Sequence, residues 1–149
     1  MEKVFEFANL VALTGWAGLL LALFVPATRK PALAWAGLLI PALLGVAYVA
    51  LLASARDAHG GFSSIAQVRS LFQSDGALTA GWLHYLAFDL FVGAWIVREG
   101  VERIPSLVAR LVLIPVLAMT FLFGPIGFLL FVVLRQLFWR PGPAAAQAA

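Results

Sequence analysis

The sequence predicts an all-α fold: an integral membrane bundle of four transmembrane helices, with a short amphipathic helix in the second loop. Three observations carry that expectation. Apolar residues make up 63% of the chain and charged residues 11%, with a mean hydropathy of +0.99, whereas a soluble domain holds about 25% charged and about 45–50% apolar residues. The apolar residues gather into four stretches near the length that a bilayer demands, about 20 residues each. Between them lie short breaks rich in proline, glycine and charge. A water-soluble core of 149 residues would leave much of this apolar surface uncovered. The length suits one domain over 1–140, with a tail over 141–149 that reads as disordered.

The first helix is placed at about 5–25 and stops at the run from Pro26 through Arg29 and Lys30 to Pro31. It reads as a retained helix rather than a signal peptide, because its apolar stretch is long and Glu2 and Glu6 spoil the basic start. The second helix covers about 32–53 and stops at Ser54, Arg56 and Asp57. In the loop that follows, Gly60 and Gly61 break the chain and Ser63 is placed to cap a helix. Ile65, Val68, Leu71 and Phe72 then recur at helical spacing, which predicts an amphipathic helix over about 63–73 lying on a membrane surface or over the bundle.

Asp75 stands where it would cap the third helix, whose apolar part runs from 77 to 97. Glu99 and Arg103 form an i,i+4 pair in the favourable order, so this helix is expected to continue to 103, until Pro105 ends it. The fourth is expected over 107–138 as one span. Four spans put both termini and the 54–76 loop at one end, end A, and the other two loops at end B. Lysine and arginine then tie at five against five, with Lys3, Arg56, Arg69, Arg135 and Arg140 facing Arg29, Lys30, Arg98, Arg103 and Arg110. The positive-inside rule gives no orientation from a tie.

Composition also excludes chemistry. The chain has no cysteine, which removes disulfides, thiolate metal sites and cysteine nucleophiles. The net charge of +3 is scattered at helix boundaries, as headgroup anchors are, so no nucleic acid partner is expected. Two histidines far apart in sequence predict neither a haem nor a metal site, and no phosphate loop, dinucleotide fingerprint or serine elbow is present. No cofactor is expected.

Ionisable groups inside an apolar span are costly and mark function by default. Only His84 and Asp89 lie well inside one. With a span starting near Ala77, His84 lies roughly 10 Å deep and Asp89 roughly 18 Å, near the midplane. An acid at that depth without a cation partner is a candidate proton donor. Asp89 shares a stripe with Gly81, Tyr85 and Gly93, with Trp82 on the same face, while His84 lies about 140° round the helix. Glu6, Asn9, His84, Tyr48 and Arg135 are all expected in the end A half, which predicts a polar pocket opening there. Gly37, Pro41 and Gly45 line one stripe of the second helix, and Pro41 and the Gly124–Gly127 stretch weaken helical hydrogen bonding. Either kinks result, or the bundle widens around a ligand.

The segment Gly81-Trp82-Leu83-His84-Tyr85-Leu86-Ala87-Phe88-Asp89-Leu90-Phe91 resembles the central motif of the abscisic-acid-deficient-four-like membrane proteins. Arg98-Glu99-Gly100-Val101 and Phe123-Gly124-Pro125-Ile126-Gly127 resemble its later signatures, and Gly60-Gly61-Phe62-Ser63-Ser64 is similar to bacterial members. The resemblance covers most of residues 5–138 and implies a bacterial member in an inner membrane. Plant members are associated with neoxanthin synthesis from violaxanthin, an isomerisation that opens an epoxide to an allene. By resemblance, His84 and Asp89 match the family's polar positions, Glu99 stands where plant members carry aspartate, and Gly124 where they carry cysteine. The resulting expectation is an isomerase acting on a carotenoid or other isoprenoid lipid. Asp89 and His84 would serve as acid and base in either order, and Trp82, Tyr85, Asn9, Tyr48, Gly124 and Pro125 would line the substrate. The alternative is a non-catalytic protein that binds pigment or lipid or supports a partner enzyme. Expected partners are membrane lipids and an apolar isoprenoid ligand.

Overall fold

A computed structural model describes residues 1–55 and 59–138, all helix and connecting loop with no strand among them. Three helices are long and apolar enough to cross a membrane: α1 (Glu2–Phe24), α2 (Pro26–Ser54) and α4 (Asp75–Arg103). The loop helix α3 is Ile65–Leu71. Two shorter apolar helices, α5 (Ala109–Phe123) and α6 (Pro125–Phe138), complete the fold. The expected tail and the loop residues Arg56 and Asp57 lie outside the described residues.

Local chemistry sets the helix limits. Val25, held extended (φ −110°, ψ 100°) ahead of Pro26, ends α1, because proline crowds a helical residue before it. In α2 a π-helical turn, Trp35–Leu39, precedes Pro41. Pro41 offers no N–H to the preceding turn, and the wider turn makes room for its ring. α3 is shorter than expected and is capped one residue later: Ser64 Oγ accepts from Gln67 N at 3.2 Å, while Gln67 Oε1 accepts from Ser63 N at 3.2 Å. Ser74, not Asp75, holds the cap position of α4, and its side chain makes no cap bond. Asp75 sits in the first turn, where a carboxylate complements the helix dipole.

α4 is the central rod. α1 lies parallel to it, with Asn9 at Trp82 and Trp16 against Gly93. α2 lies antiparallel, with Tyr48 at His84 and Gly37 against Ala94. Leu19, Leu23, Ile40, Leu83, Leu90, Ile96 and Val97 are fully buried in the core around α4.

The expected fourth span is not one helix. Gly127 abuts the backbone of Thr120, although seven residues of continuous helix would separate them by roughly 10 Å. The chain therefore reverses at Gly124, where φ is +45°, a conformation that glycine adopts without steric cost. α5 and α6 form a hairpin with both open ends at end B. Arg110, at the start of α5, bonds Val101 and Ile104, and Arg135, in the last turn of α6, stands 3.5 Å from Glu99. Each helix is roughly 20 Å long, short of a bilayer's apolar thickness of about 30 Å. Arg135 thus belongs to end B, contrary to the four-span expectation.

Candidate functional site

Asp89 is the middle residue of α4, and the turn of the hairpin stops beside it. Its carboxyl packs on Gly124 so closely that a Cβ there would lie 2.5 Å from Oδ1. Only glycine meets both that contact and the positive φ. Oδ2 is buried and has no hydrogen-bond partner. Tyr85, one turn earlier, brings its hydroxyl alongside the carboxyl and donates its hydrogen to Phe121 O at 2.9 Å. That carbonyl is one of those left free where α5 ends. The Tyr85 ring stacks on Trp82 with centroids 5.1 Å apart, and Trp82 Nε1 donates to Asn9 Oδ1 at 3.1 Å. A connected path thus runs from α1 through α4 to the hairpin turn.

Above this path, at end A, lies an open cleft of about 830 Å³ whose lining includes Glu2, Phe5, Phe72, Asp75, Trp82 and Tyr85. It occupies the half of the bundle that the hairpin does not fill. Tyr85 is its deepest lining residue on α4, and Asp89 lies one turn below. The walls are apolar, with carboxylates at the mouth.

His84 is elsewhere. It lines a second groove, about 570 Å³, between α2 and α4 with Pro41, Gly45, Tyr48, Phe88 and Phe91. The structure thus joins Asn9, Trp82, Tyr85, Asp89 and Gly124, with Pro125 opening α6 beside them, and separately joins His84 with Tyr48. The single polar pocket expected from Glu6, Asn9, His84, Tyr48 and Arg135 does not form. Arg135 is at the other end, Glu6 is exposed, and the two helix faces that carry His84 and Asp89 look into different spaces. Among the described residues no group of three His, Cys, Asp or Glu side chains is placed to hold a metal ion.

Sequence reading missed Phe121, whose contribution is a backbone carbonyl, and Arg110, which it took for a boundary cation. Gly124-Pro125 in mid-span was the available sign of the reversal that creates the first. Arg110 is 5% exposed and donates to Ile104 O at 2.7 Å, Leu23 O at 3.2 Å and Val101 O at 3.2 Å.

Apolar helices long enough to cross a bilayer, with an acid at mid-helix under an apolar cleft, are compatible with one class, the helical membrane proteins. Within that class the ABA DEFICIENT 4-like family model matches residues 3–131, and the chain belongs to that family. Comparisons with curated proteins and with solved structures find no match.

Proposed function

We propose that the chain is a multi-pass protein of a bacterial inner membrane that isomerises a carotenoid or other isoprenoid lipid by proton transfer at Asp89. Three helices would span, and the α5–α6 hairpin would enter from end B and return to it. The observation that carries the reading is the buried Asp89 Oδ2, which accepts no hydrogen bond, held mid-helix against Gly124 beneath an apolar cleft. A long apolar substrate suits that cleft, and its oxygen-bearing end would reach Tyr85.

For an epoxide substrate the chemistry needs one proton in and one out. Protonation of the epoxide oxygen breaks a C–O bond and leaves a hydroxyl. Loss of a proton from the neighbouring vinylic carbon forms the new double bond, so the product is an isomer. With the Tyr85 hydrogen on Phe121 O, the Tyr85 oxygen is free to accept from a protonated Asp89. When substrate binds, Tyr85 turns its hydrogen to the epoxide oxygen and takes the Asp89 proton in its place. The carboxylate left behind then accepts the carbon-bound proton through the same hydroxyl. His84, in the other groove, has no part in this step.

The test is expression in a carotenoid-producing host with pigments resolved by chromatography. Wild type is expected to convert a pigment, and Asp89→Asn, which keeps the side chain's shape, to lose at least ~100-fold in turnover. A folded Asp89→Asn protein with full turnover would sink the mechanism. A chromophore that co-purifies with wild type and stays unchanged on incubation would favour the second reading, non-catalytic pigment binding, for which the apolar walls of the cleft are equally suited.

A further inference from the structure

The groove between α2 and α4 holds two polar groups that the Asp89 chemistry leaves unused. The His84 ring and the Tyr48 ring face one another with centroids 5.7 Å apart, and His84 lies 4.6 Å from Phe88. Among the described residues neither the imidazole nitrogens nor the Tyr48 hydroxyl has a hydrogen-bond partner. The remaining lining is apolar, small at Pro41, Gly45 and Ala87 and bulky at Phe88 and Phe91. A Cβ added at Gly45 would meet nothing within 4 Å, so the notch there is open space.

Depth decides what fills it. His84 stands five residues before the midpoint of α4, so roughly 7 Å from the midplane. The ester level of a bilayer begins about 15 Å from the midplane, at the edge of the hydrocarbon. Phospholipid carbonyls and interfacial water therefore stop short of these groups, and acyl chains bring them no partner. A polar group facing hydrocarbon without a partner is costly. Its partner has to be an oxygen carried into the hydrocarbon by an apolar molecule. A neutral imidazole and a phenol each offer one donor and acceptor capacity, so a single hydroxyl held between them can accept from one and donate to the other.

We propose that this groove is a second ligand site, which takes an elongated apolar alcohol that carries its hydroxyl below the ester level, with its hydrocarbon running toward the midplane along the groove. His84 and Tyr48 hold the hydroxyl, and Pro41, Gly45, Phe88 and Phe91 hold the chain. The inference rests on the membrane setting proposed above but not on the chemistry at Asp89.

The probe is a long-chain secondary alcohol carrying a diazirine, compared with the same chain lacking the hydroxyl. Both are photolysed with the full chain in phosphatidylcholine nanodiscs, and adducts are mapped by mass spectrometry. The alcohol is expected to label residues 41–48 and 84–91 at least ~5-fold over the hydrocarbon. Tyr48→Phe and His84→Leu should each cut that preference by ~2- to 10-fold, one hydrogen bond's worth, and leave hydrocarbon labelling unchanged. Asp89→Asn should leave both unchanged, so failure here is separable from failure of the catalytic reading. Tyr48→Phe removes one oxygen atom from a half-buried ring, which keeps the decisive variant folded. Equal labelling by the two probes, or indifference to Tyr48→Phe, overturns the proposal. A dimer in native mass measurements that Gly45→Phe dissociates would also overturn it, since the groove would then be filled by a second copy.

Discussion

Arg110 ties three chain segments together with one side chain. Its guanidinium reaches carbonyls of Leu23, Val101 and Ile104, at or beside the C-terminal ends of α1 and α4, and Arg29 Nε adds a bond to Ala22 O at 3.1 Å. Helix C-termini expose carbonyls and carry partial negative charge, so a cation there gains from both. Arg110→Met keeps the apolar bulk and removes the donors. It should destabilise the fold by about 2–4 kcal/mol, less than three full charged hydrogen bonds because water at the helix ends replaces some. Arg110→Lys should recover only part, having no planar fork to reach all three. Thermal unfolding of the purified variants checks both. Sequence alone ranked the residues unevenly for a physical reason. Asp89 stands out because a carboxyl is rare in an apolar run. Arg110 does not, because an arginine near a span's edge ordinarily points to headgroups, and only the folded chain brings three carbonyls to it.

At the scale of elements, α1 and α4 were legible because length, hydropathy and the prolines at their ends all agree. α2, in contrast, begins at Pro26 and not near 32. Pro26 and Pro31 fall in its first turns, where a missing N–H costs little, and the run expected as a break is helical. The hairpin was not legible. Hydropathy reports that a segment is apolar, not which way it runs, and α5 and α6 together have the length of one long span. What distinguishes them is the positive φ of Gly124 between them and the contact of Gly127 with Thr120. The angle of about 140° between His84 and Asp89 was legible in the helical period, but not the neighbours: only the folded chain shows that α2 borders the His84 face and the hairpin turn the Asp89 face. The hairpin yields its own test. Gly127→Ala puts a methyl onto the Thr120 backbone, which cannot yield as a side chain would, and should destabilise by about 1–3 kcal/mol or more as α6 is pushed off α5. Gly45→Ala, facing open space, should stay within about 0.5 kcal/mol of wild type. Size-exclusion profiles and melting temperatures of the pair, measured together, separate the two. Equal behaviour of both variants would contradict the hairpin.

For the whole molecule, the reversal at Gly124 moves the end of α6 from end A to end B, and among the described residues the charge tie disappears. Among the described residues Lys3 and Arg69 lie at end A, while Arg29, Lys30, Arg98, Arg103, Arg110 and Arg135 lie at end B. In the proposed membrane setting that excess places end B in the cytoplasm. The cleft above Tyr85 then opens toward the opposite leaflet, and a substrate would arrive from there. The absence of cysteine makes this directly measurable with single-cysteine variants and a membrane-impermeant maleimide. Ser64→Cys, at the cap of α3, should label in intact spheroplasts of a bacterial host. Ser106→Cys, before α5, and Leu137→Cys, in the exposed last turn of α6, should label only after permeabilisation. Leu137 decides between topologies, because four full spans would put it on the same side as Ser64. Labelling of Leu137→Cys together with Ser64→Cys would refute the hairpin, whereas reversal of all three would leave the hairpin standing and refute only the orientation.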